Sequence, residues 1–193
     1  MTVRLALSGR AFRTMLSIPR KSCFVAAGFF IAHGSIVDNV GFDPFLPYLF
    51  MGEELALSAR FYTSGYDIYA PSADVLQHEY VRKESPKFWE TVGEVYSNPG
   101  LHNELTNLIV QRVQFLDAFP EADDPQKLDP PSLLVRMNQF GLGSKRSASD
   151  FNSHTGLDLK AKRQMPPEWC TKGTDGLTKE ERQNERIDFD LLH

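Results

Sequence analysis

The sequence has little of the features that mark secreted, membrane-spanning or nucleic-acid-binding proteins. Cys23 and Cys170 are its only cysteines, and they fit neither a disulfide framework nor a metal-ligand spacing, which indicates a reducing compartment. The longest apolar run, CFVAAGFFIA, is about half of the roughly 20 residues that a membrane-spanning helix needs. With 21 basic against 25 acidic side chains and a net charge of -4, the chain lacks the basic surface of a general nucleic-acid binder.

What the sequence does have is enough apolar residues, 41% of 193, to build the core of one domain. Its start, MTVRLALSGRAFRTMLSIPRK, is basic and has no acidic residue. That composition resembles a transit peptide. The alternative is a structural segment of the folded domain, and the family resemblance given below favours this second interpretation.

Two adjacent glutamates open a predicted helix in the stretch GEELALSARFYTSG. Glu53 and Glu54 suit the positive end of a helix dipole, and Gly65 suits a left-handed stop, so we expect a helix from about Gly52 to Ser64. Ahead of it, SCFVAAGFFIAHG predicts one or two buried strands.

Two further strands are predicted after this helix, in YDIYAP and DVLQHEYVR. The period of two in the second strand places Leu76, His78 and Tyr80 on one face. By spacing alone, His78 is better explained as a core residue than as a metal ligand, because no second ligand stands near it in the sequence.

The second half of the chain is predicted to be helical. Helices are expected in KFWETVGEVY, in the long apolar stripe of LHNELTNLIVQRVQFLDAF and in SLLVRMNQF, with a turn at SNPG. Ser147 and Asp150 have the spacing of a capping box, and Gly156 is a predicted helix stop. The polar end of the chain predicts a folded region at 1–160 and a weakly ordered tail at 161–193.

Three motifs occur in order along the chain: AAGFFIAHGS, then GFDPFLPYLFMGEELALSARFYTSGYDIYAP with HEYVR, then GLGSKRSASDFNSHTGLD. Together they resemble the protein N-acetylglucosaminyltransferases that modify hydroxyproline, over roughly residues 20 to 160. In the best-known members, the acceptor is the small adaptor subunit of a ubiquitin ligase. The layout also resembles the polypeptide N-acetylgalactosaminyltransferases. The residues that fall on its positions are Glu53, Ser58, Arg60, His78 and Arg82.

The resemblance implies an α/β fold of the GT-A type, a mixed sheet flanked by helices, that binds UDP-N-acetylglucosamine and retains the anomeric configuration. It also implies a divalent metal, manganese in many members, which neutralises charge on the departing diphosphate. His78 matches the family's later metal-binding histidine, and imidazole suits such a metal.

The family's sugar-binding residues can be carried over in the same way. Glu53 would bind hydroxyls of the donor sugar, with Glu54 as the alternative catalytic glutamate, and Gly28 would let the backbone approach the sugar. The helix N-terminus is expected to keep Glu53 ionised. The other implied substrate-binding residues are Arg60, Asp67 and Tyr80, together with Lys145 and Arg146 as a basic loop over the diphosphate. A solvated charge pair is the simpler explanation of Lys145 and Arg146, and Asp67 alternatively caps its strand.

Family members carry a nucleotide-binding half with an Asp-x-Asp motif before the AGFF strand, where this chain has only about twenty residues. We therefore expect a partial GT-A domain, the acceptor-side portion of a cytoplasmic transferase, with the Golgi lumen as the alternative location. By itself it is expected to bind the donor weakly and to show no transfer. The Asp-Phe-Asp at 188–190 lies in the predicted tail and is interpreted as incidental.

Two other function classes stay open on the sequence. The first is a non-catalytic remnant of such a transferase, or a module that binds a protein partner. The second is a metal-dependent hydrolase built on Glu53, Glu54 and His78, which would need a further histidine or acid at ligand spacing.

Overall fold

The structure, a computed structural model, describes residues 2–5, 19–50, 52–71, 86–95, 99–117, 134–165 and 167. Four short strands form a mixed sheet in the order β2-β4-β1-β3. They are β1 (Thr2–Leu5), β2 (Arg20–Lys21), β3 (Phe30–Ala32) and β4 (Asp67–Ala70). β1 runs parallel to β4, with Val3 opposite Ile68, and antiparallel to β3, with Arg4 opposite Ile31. The start of the chain is thus part of the folded sheet.

β3 lies at one edge of this sheet and is only half buried. Ile31 is 57% exposed, whereas Phe30 and Ala32 pack against the core. The prediction of buried strands between residues 22 and 34 is therefore correct for one face of β3 and wrong for the other. The reason is that successive side chains of a strand point to opposite faces, and here only one face is covered.

The helix that begins with the two glutamates is confirmed and packs on the sheet. Helix α1 (Ile36–Asn39) precedes it, and α2 spans Glu53–Thr63. Gly52 stands before α2 at φ 98° and Gly65 follows it at φ 88°, left-handed values that suit glycine. Its inner residues join the main hydrophobic core. That core contains Val25, Val40, Leu57, Phe61, Tyr66 and Ile68.

The predicted helices of the second half are present with changed bounds. They are α3 (Phe88–Val95), α4 (Pro99–Leu116), α5 (Met137–Phe140) and α6 (Ala148–Thr155). α4 starts at Pro99, inside the predicted turn, because proline is tolerated in a first helical turn. The capping box of Ser147 and Asp150 and the left-handed stop at Gly156 are both confirmed.

A small hairpin closes the described part of the chain. β5 (Leu157–Asp158) pairs antiparallel with β6 (Arg163–Gln164), so the predicted boundary after residue 160 falls inside the hairpin. The predicted strand at 74–82, with His78, Tyr80 and Arg82, lies outside the described residues. No helix among the residues that the structure describes is both long and apolar enough to cross a bilayer. Helices packed around a small mixed sheet agree with the expected α/β class.

Candidate functional site

One face of α2 lines a cavity of about 320 Å³. The helix contributes Glu53, Ala56, Leu57 and Arg60, whose spacing of three and four residues places them on the same side. The facing walls come from the segment before β3 and from the connector 41–50. Their lining residues are Ala27, Phe30, Phe42, Asp43, Leu46 and Leu49. The lining is mostly apolar with three charged groups, which is the usual composition of a small-molecule site.

Glu53 lines this cavity and carries an unsatisfied carboxylate oxygen. Its Oε2 atom is shielded from solvent and has no hydrogen-bond partner among the described residues. Burial raises the pKa of Glu53 above its ordinary value, a hydrogen bond from its own backbone opposes this, and the charge of Glu54 adds to the rise. The helix N-terminus was expected to keep Glu53 ionised. Burial opposes this effect, because loss of water disfavours the charged form of a carboxyl group.

Arg60 lines the same cavity, and its guanidinium also ties two loops to α2. It is 3% exposed and donates to the carbonyls of Val40, Gly41 (3.0 Å) and Gly141 (3.4 Å). Burial lowers the pKa of Arg60; Asp43 opposes this change and Arg112 adds to it. These bonds show a structural role for Arg60, and the substrate-binding role that the resemblance implied stays a prediction.

Behind the connector lies an ion pair that the sequence did not reveal. Asp43 Oδ2 accepts from Arg112 Nε of α4 at 2.8 Å, and both side chains are 1% exposed. Asp43 Oδ1 also accepts from the backbone N–H of Phe45 at 2.9 Å, and the Arg112 guanidinium lies 5.1 Å from the Phe45 ring centroid. An arginine within the apolar stripe of a helix was the available signal, since such a group is seldom buried without a partner.

Glu54 and Gly28 are the chain neighbours of two lining residues, Glu53 and Ala27. Glu54 Oε1 accepts a hydrogen bond from the backbone N–H of Ala27 at 2.9 Å. Gly28 follows Ala27 in an exposed turn, next to a residue that lines the cavity. The structure therefore places Glu53, Glu54, Arg60 and Gly28 in or beside one site.

Asp67 and Arg146 lie on the other side of α2. Arg146 donates to Asp67 Oδ1 at 2.9 Å and to the Tyr66 carbonyl at 3.2 Å, and its guanidinium lies 4.6 Å from the ring centroid of Tyr62. Tyr62 comes nine positions after Glu53, about two and a half helical turns, so it points away from the cavity. Asp67 and Arg146 are brought together with each other and not with Glu53.

Lys145 packs beside this pair. Its backbone N–H and that of Arg146 both donate to the Thr63 carbonyl, at 2.9 and 3.1 Å. A β-carbon built on Gly65 would lie 2.7 Å from Lys145 Cδ, so the left-handed glycine that ends α2 also makes room for this side chain.

His154 of α6 completes the group around Tyr62, which we call the Tyr62 cluster: Tyr62, Asp67, Arg146, Phe151 and His154. The His154 and Tyr62 rings are stacked, with centroids 4.9 Å apart and planes 21° from parallel. Burial, followed by the charge of Lys21, lowers the pKa of His154 to about 4. His154 is therefore neutral at neutral pH and acts in packing.

Comparison with known families decides the class of the chain. A family model described as Glycosyltransferase (GlcNAc) matches residues 2–161, well over half of the sequence. The chain belongs to this glycosyltransferase family. No curated protein and no solved structure matches it.

The glycosyltransferase was expected to hold a metal through His78, with Tyr80 nearby. Both residues lie outside the described residues, so these two assignments stay predictions. Within the described residues, no group of three or more histidine, cysteine, aspartate or glutamate side chains is arranged to hold a metal ion. The described part of the glycosyltransferase therefore supplies the cavity and its carboxylate, but no metal site.

Proposed function

We propose that the chain forms the acceptor-side portion of a retaining, GT-A-type glycosyltransferase and that Glu53 contributes to its donor-sugar site. It would move N-acetylglucosamine from UDP-N-acetylglucosamine to a protein hydroxyl such as that of hydroxyproline. The observation that carries the proposal is the shielded Glu53 Oε2 atom, which has no partner among the described residues and belongs to a side chain that lines the cavity. An oxygen left without a hydrogen bond on burial is stabilised when a ligand donates one, and a sugar hydroxyl is such a donor.

The rest of the cavity lining is also suited to a sugar ring. A hexose carries C–H groups on its ring faces and hydroxyls around its rim. Phe30 and Phe42 supply apolar surface for a ring face, while Glu53 accepts from the rim. The other two charged groups of the lining, Asp43 and Arg60, already have partners within the protein. A small number of placed polar groups in an apolar cavity is what fixes the orientation of a ligand.

In the proposed reaction, the bond between the anomeric carbon and the diphosphate oxygen breaks, and the bond to the acceptor oxygen forms on the same face. The acceptor's proton leaves with the diphosphate. Glu53 contributes by orienting the sugar and by placing negative charge near the developing oxocarbenium centre. A divalent metal such as manganese, with His78 proposed among its ligands, would supply charge neutralisation at the diphosphate.

The proposal extends to the partners and the location of the enzyme. Its acceptor would be a protein, such as the adaptor subunit of a ubiquitin ligase, and its compartment the cytoplasm. The motif resemblance supports these two statements, and the low cysteine content agrees with a reducing compartment.

The test compares two glutamates in the protein expressed from its complete gene. Transfer of labelled N-acetylglucosamine to a hydroxyproline peptide is measured with manganese for the wild type, Glu53→Gln and Glu104→Gln. Glu104 is exposed on α4 and provides the same charge change away from the cavity. We expect Glu53→Gln to lower kcat/KM by about 10²–10³, the usual cost of removing a preorganised polar group, with an unchanged melting temperature.

Other results would assign a different function. Equal transfer by Glu53→Gln and the wild type would remove Glu53 from the reaction. Tight binding of the hydroxyproline peptide without transfer would favour the protein-binding module. Release of free sugar in preference to transfer would favour a hydrolase.

A further inference from the structure

The loop between β2 and β3 forms one wall of the cavity, and three of its backbone N–H groups donate hydrogen bonds to α2 and β4. Ser22 N donates to the Ile68 carbonyl at 2.8 Å, and Val25 N donates to Ser58 Oγ at 2.8 Å. Ala27 N donates to Glu54 Oε1 at 2.9 Å. Two of these three acceptors are side chains on α2, one helical turn apart, so α2 provides one wall of the cavity and fastens another.

The attachments at Val25 and Ala27 differ in strength. Val25 is 2% exposed and belongs to the main core, so its burial holds the base of the loop even without the hydrogen bond. Ser58 Oγ, its acceptor, also donates to the Glu54 carbonyl and is fully buried. Ala27 is exposed and is not one of the residues of the main core. Its described attachment to α2 is the hydrogen bond to the Glu54 carboxylate.

We propose that Glu54 is a positioning residue that holds Ala27 and Gly28 against the donor cavity. The inference rests on the proposed function for its effect on donor binding, but the tether itself does not. The adjacent glutamates then have separate tasks: Glu53 lines the cavity, and Glu54 fixes the loop that forms the facing wall. Without the tether, the loop moves outward and the cavity loses the wall formed by Ala27, while Glu53 stays in place.

The kinetic consequence is a change in KM more than in kcat. A wall that contacts the donor equally before and during reaction affects binding uniformly, so its loss raises KM and leaves kcat nearly unchanged. The low limit of the free-energy range for a hydrogen bond to a charged acceptor corresponds to roughly a tenfold change in affinity. This low limit applies because the Glu54 carboxylate is exposed. We therefore expect KM for UDP-N-acetylglucosamine to rise about tenfold in Glu54→Ala.

The experiment pairs Glu54→Ala with Glu54→Gln. Glutamine keeps an acceptor oxygen at the same reach and removes the charge, so it should restore the bond to Ala27 N. Amide hydrogen exchange is measured by NMR on the ligand-free protein, and KM and kcat are measured on the protein from its complete gene. In Glu54→Ala, we expect the amide of Ala27 to exchange about ten times faster and the amide of Val25 to exchange at an unchanged rate. In Glu54→Gln, the exchange rates and KM should stay within about threefold of the wild type.

The readouts separate the possible failures. Unchanged Ala27 exchange in Glu54→Ala would disprove the tether. A large fall in kcat at constant KM in both variants would make Glu54 a catalytic residue and overturn the positioning role. If the wild type transferred no sugar while Ala27 exchange responded as expected, the proposed function and the role in donor binding would both fall, and only the tether would stand.

Discussion

The two sides of helix α2 solve the burial of polar groups in opposite ways. On the cavity side, Glu53 has a shielded oxygen without a hydrogen-bond partner in the described part of the chain. On the other side, the Tyr62 cluster is filled: Arg146 pairs with Asp67, covers the ring of Tyr62, and His154 stacks on that ring. Among the described residues, the cavity side keeps an unmet hydrogen bond and open volume, whereas the side chains of the Tyr62 cluster pack on one another.

This difference indicates that the cavity side of α2 is suited to ligand binding and that the Tyr62 cluster contributes to the stability of the fold. An unsatisfied buried acceptor costs stability unless a ligand, a water molecule or a proton completes it, and at Glu53 the neighbouring cavity leaves room for a ligand. The wall behind the cavity is correspondingly stiff, because the buried Asp43–Arg112 pair joins the connector to α4. A β-carbon at Gly52 would lie within 3.8 Å of Val113, which places α4 against the start of α2. The Tyr62 cluster, in contrast, contributes packing and exposed charge pairs.

The largest effect is expected from breaking the ion pair behind the cavity. Arg112→Met keeps much of the side-chain length and leaves the Asp43 carboxylate buried without its partner. Stranding a buried charge in this way typically costs about 3–5 kcal/mol. Urea denaturation should show this loss in the free energy of unfolding, with Asp43→Asn in the same protein recovering part of it.

The matched control is Arg146→Met in the Tyr62 cluster. Asp67 and Arg146 are 34% and 28% exposed, so water can solvate the carboxylate that remains. The expected loss is about 1 kcal/mol, from an exposed ion pair and a cation–π contact. Equal losses in the two variants would show that the two sides of α2 do not differ as described.

A second effect comes from Asp117, at the end of α4. Its side chain is 5% exposed, neither carboxylate oxygen has a hydrogen-bond partner among the described residues, and burial raises its pKa to about 7. Between its ordinary value of 3.8 and about 7, the unfolded chain has lost this proton while the native protein keeps it. Stability therefore falls as pH rises through that window, by about 1.4 kcal/mol per unit and up to roughly 4 kcal/mol in total.

Asp117→Asn removes this titration and keeps the shape of the side chain. The variant and the wild type should have similar stability near pH 4, and the variant should be the more stable of the two near pH 8. Denaturation at several pH values gives the comparison directly. Parallel pH profiles would mean that the carboxyl of Asp117 does not titrate in this window.

The smallest effect concerns His154, which titrates in the opposite sense. Burial and nearby cations lower its pKa from 6.5 to about 4, so on acidification the unfolded chain binds this proton before the native protein does. Stability is lost as pH falls from about 6.5 to about 4, and partial exposure reduces the loss to about 1 kcal/mol. His154→Phe keeps the stack on Tyr62 and removes the titrating group. The melting temperature of the variant minus that of the wild type should therefore be larger at pH 5 than at pH 7.5. The same difference at both pH values would contradict the assignment.

Local signals in the sequence predicted most of the elements that surround the site. The bounds of α2, its glycine stop, β4 and the capping box of Ser147 and Asp150 were expected within one residue or confirmed outright. Each depends on the preferences of a few consecutive residues, such as left-handed backbone at glycine or a side chain that caps an N–H group. The two glutamates were also recognised as candidate site residues, although their different contacts were not.

The contacts that decide the site join residues far apart in the chain. Asp43 meets Arg112, and Arg60 reaches the carbonyl of Gly141, only after the helices have packed. Sequence grouped Asp67 and Arg146 with Glu53, whereas the structure places them on opposite sides of α2. The sequence by itself determined most of the elements around the site, the family motifs and the presence of carboxylates at the start of α2. The tertiary structure decided which polar groups found partners and left one Glu53 oxygen without a partner among the described residues, because burial and pairing depend on long-range packing that no local preference specifies.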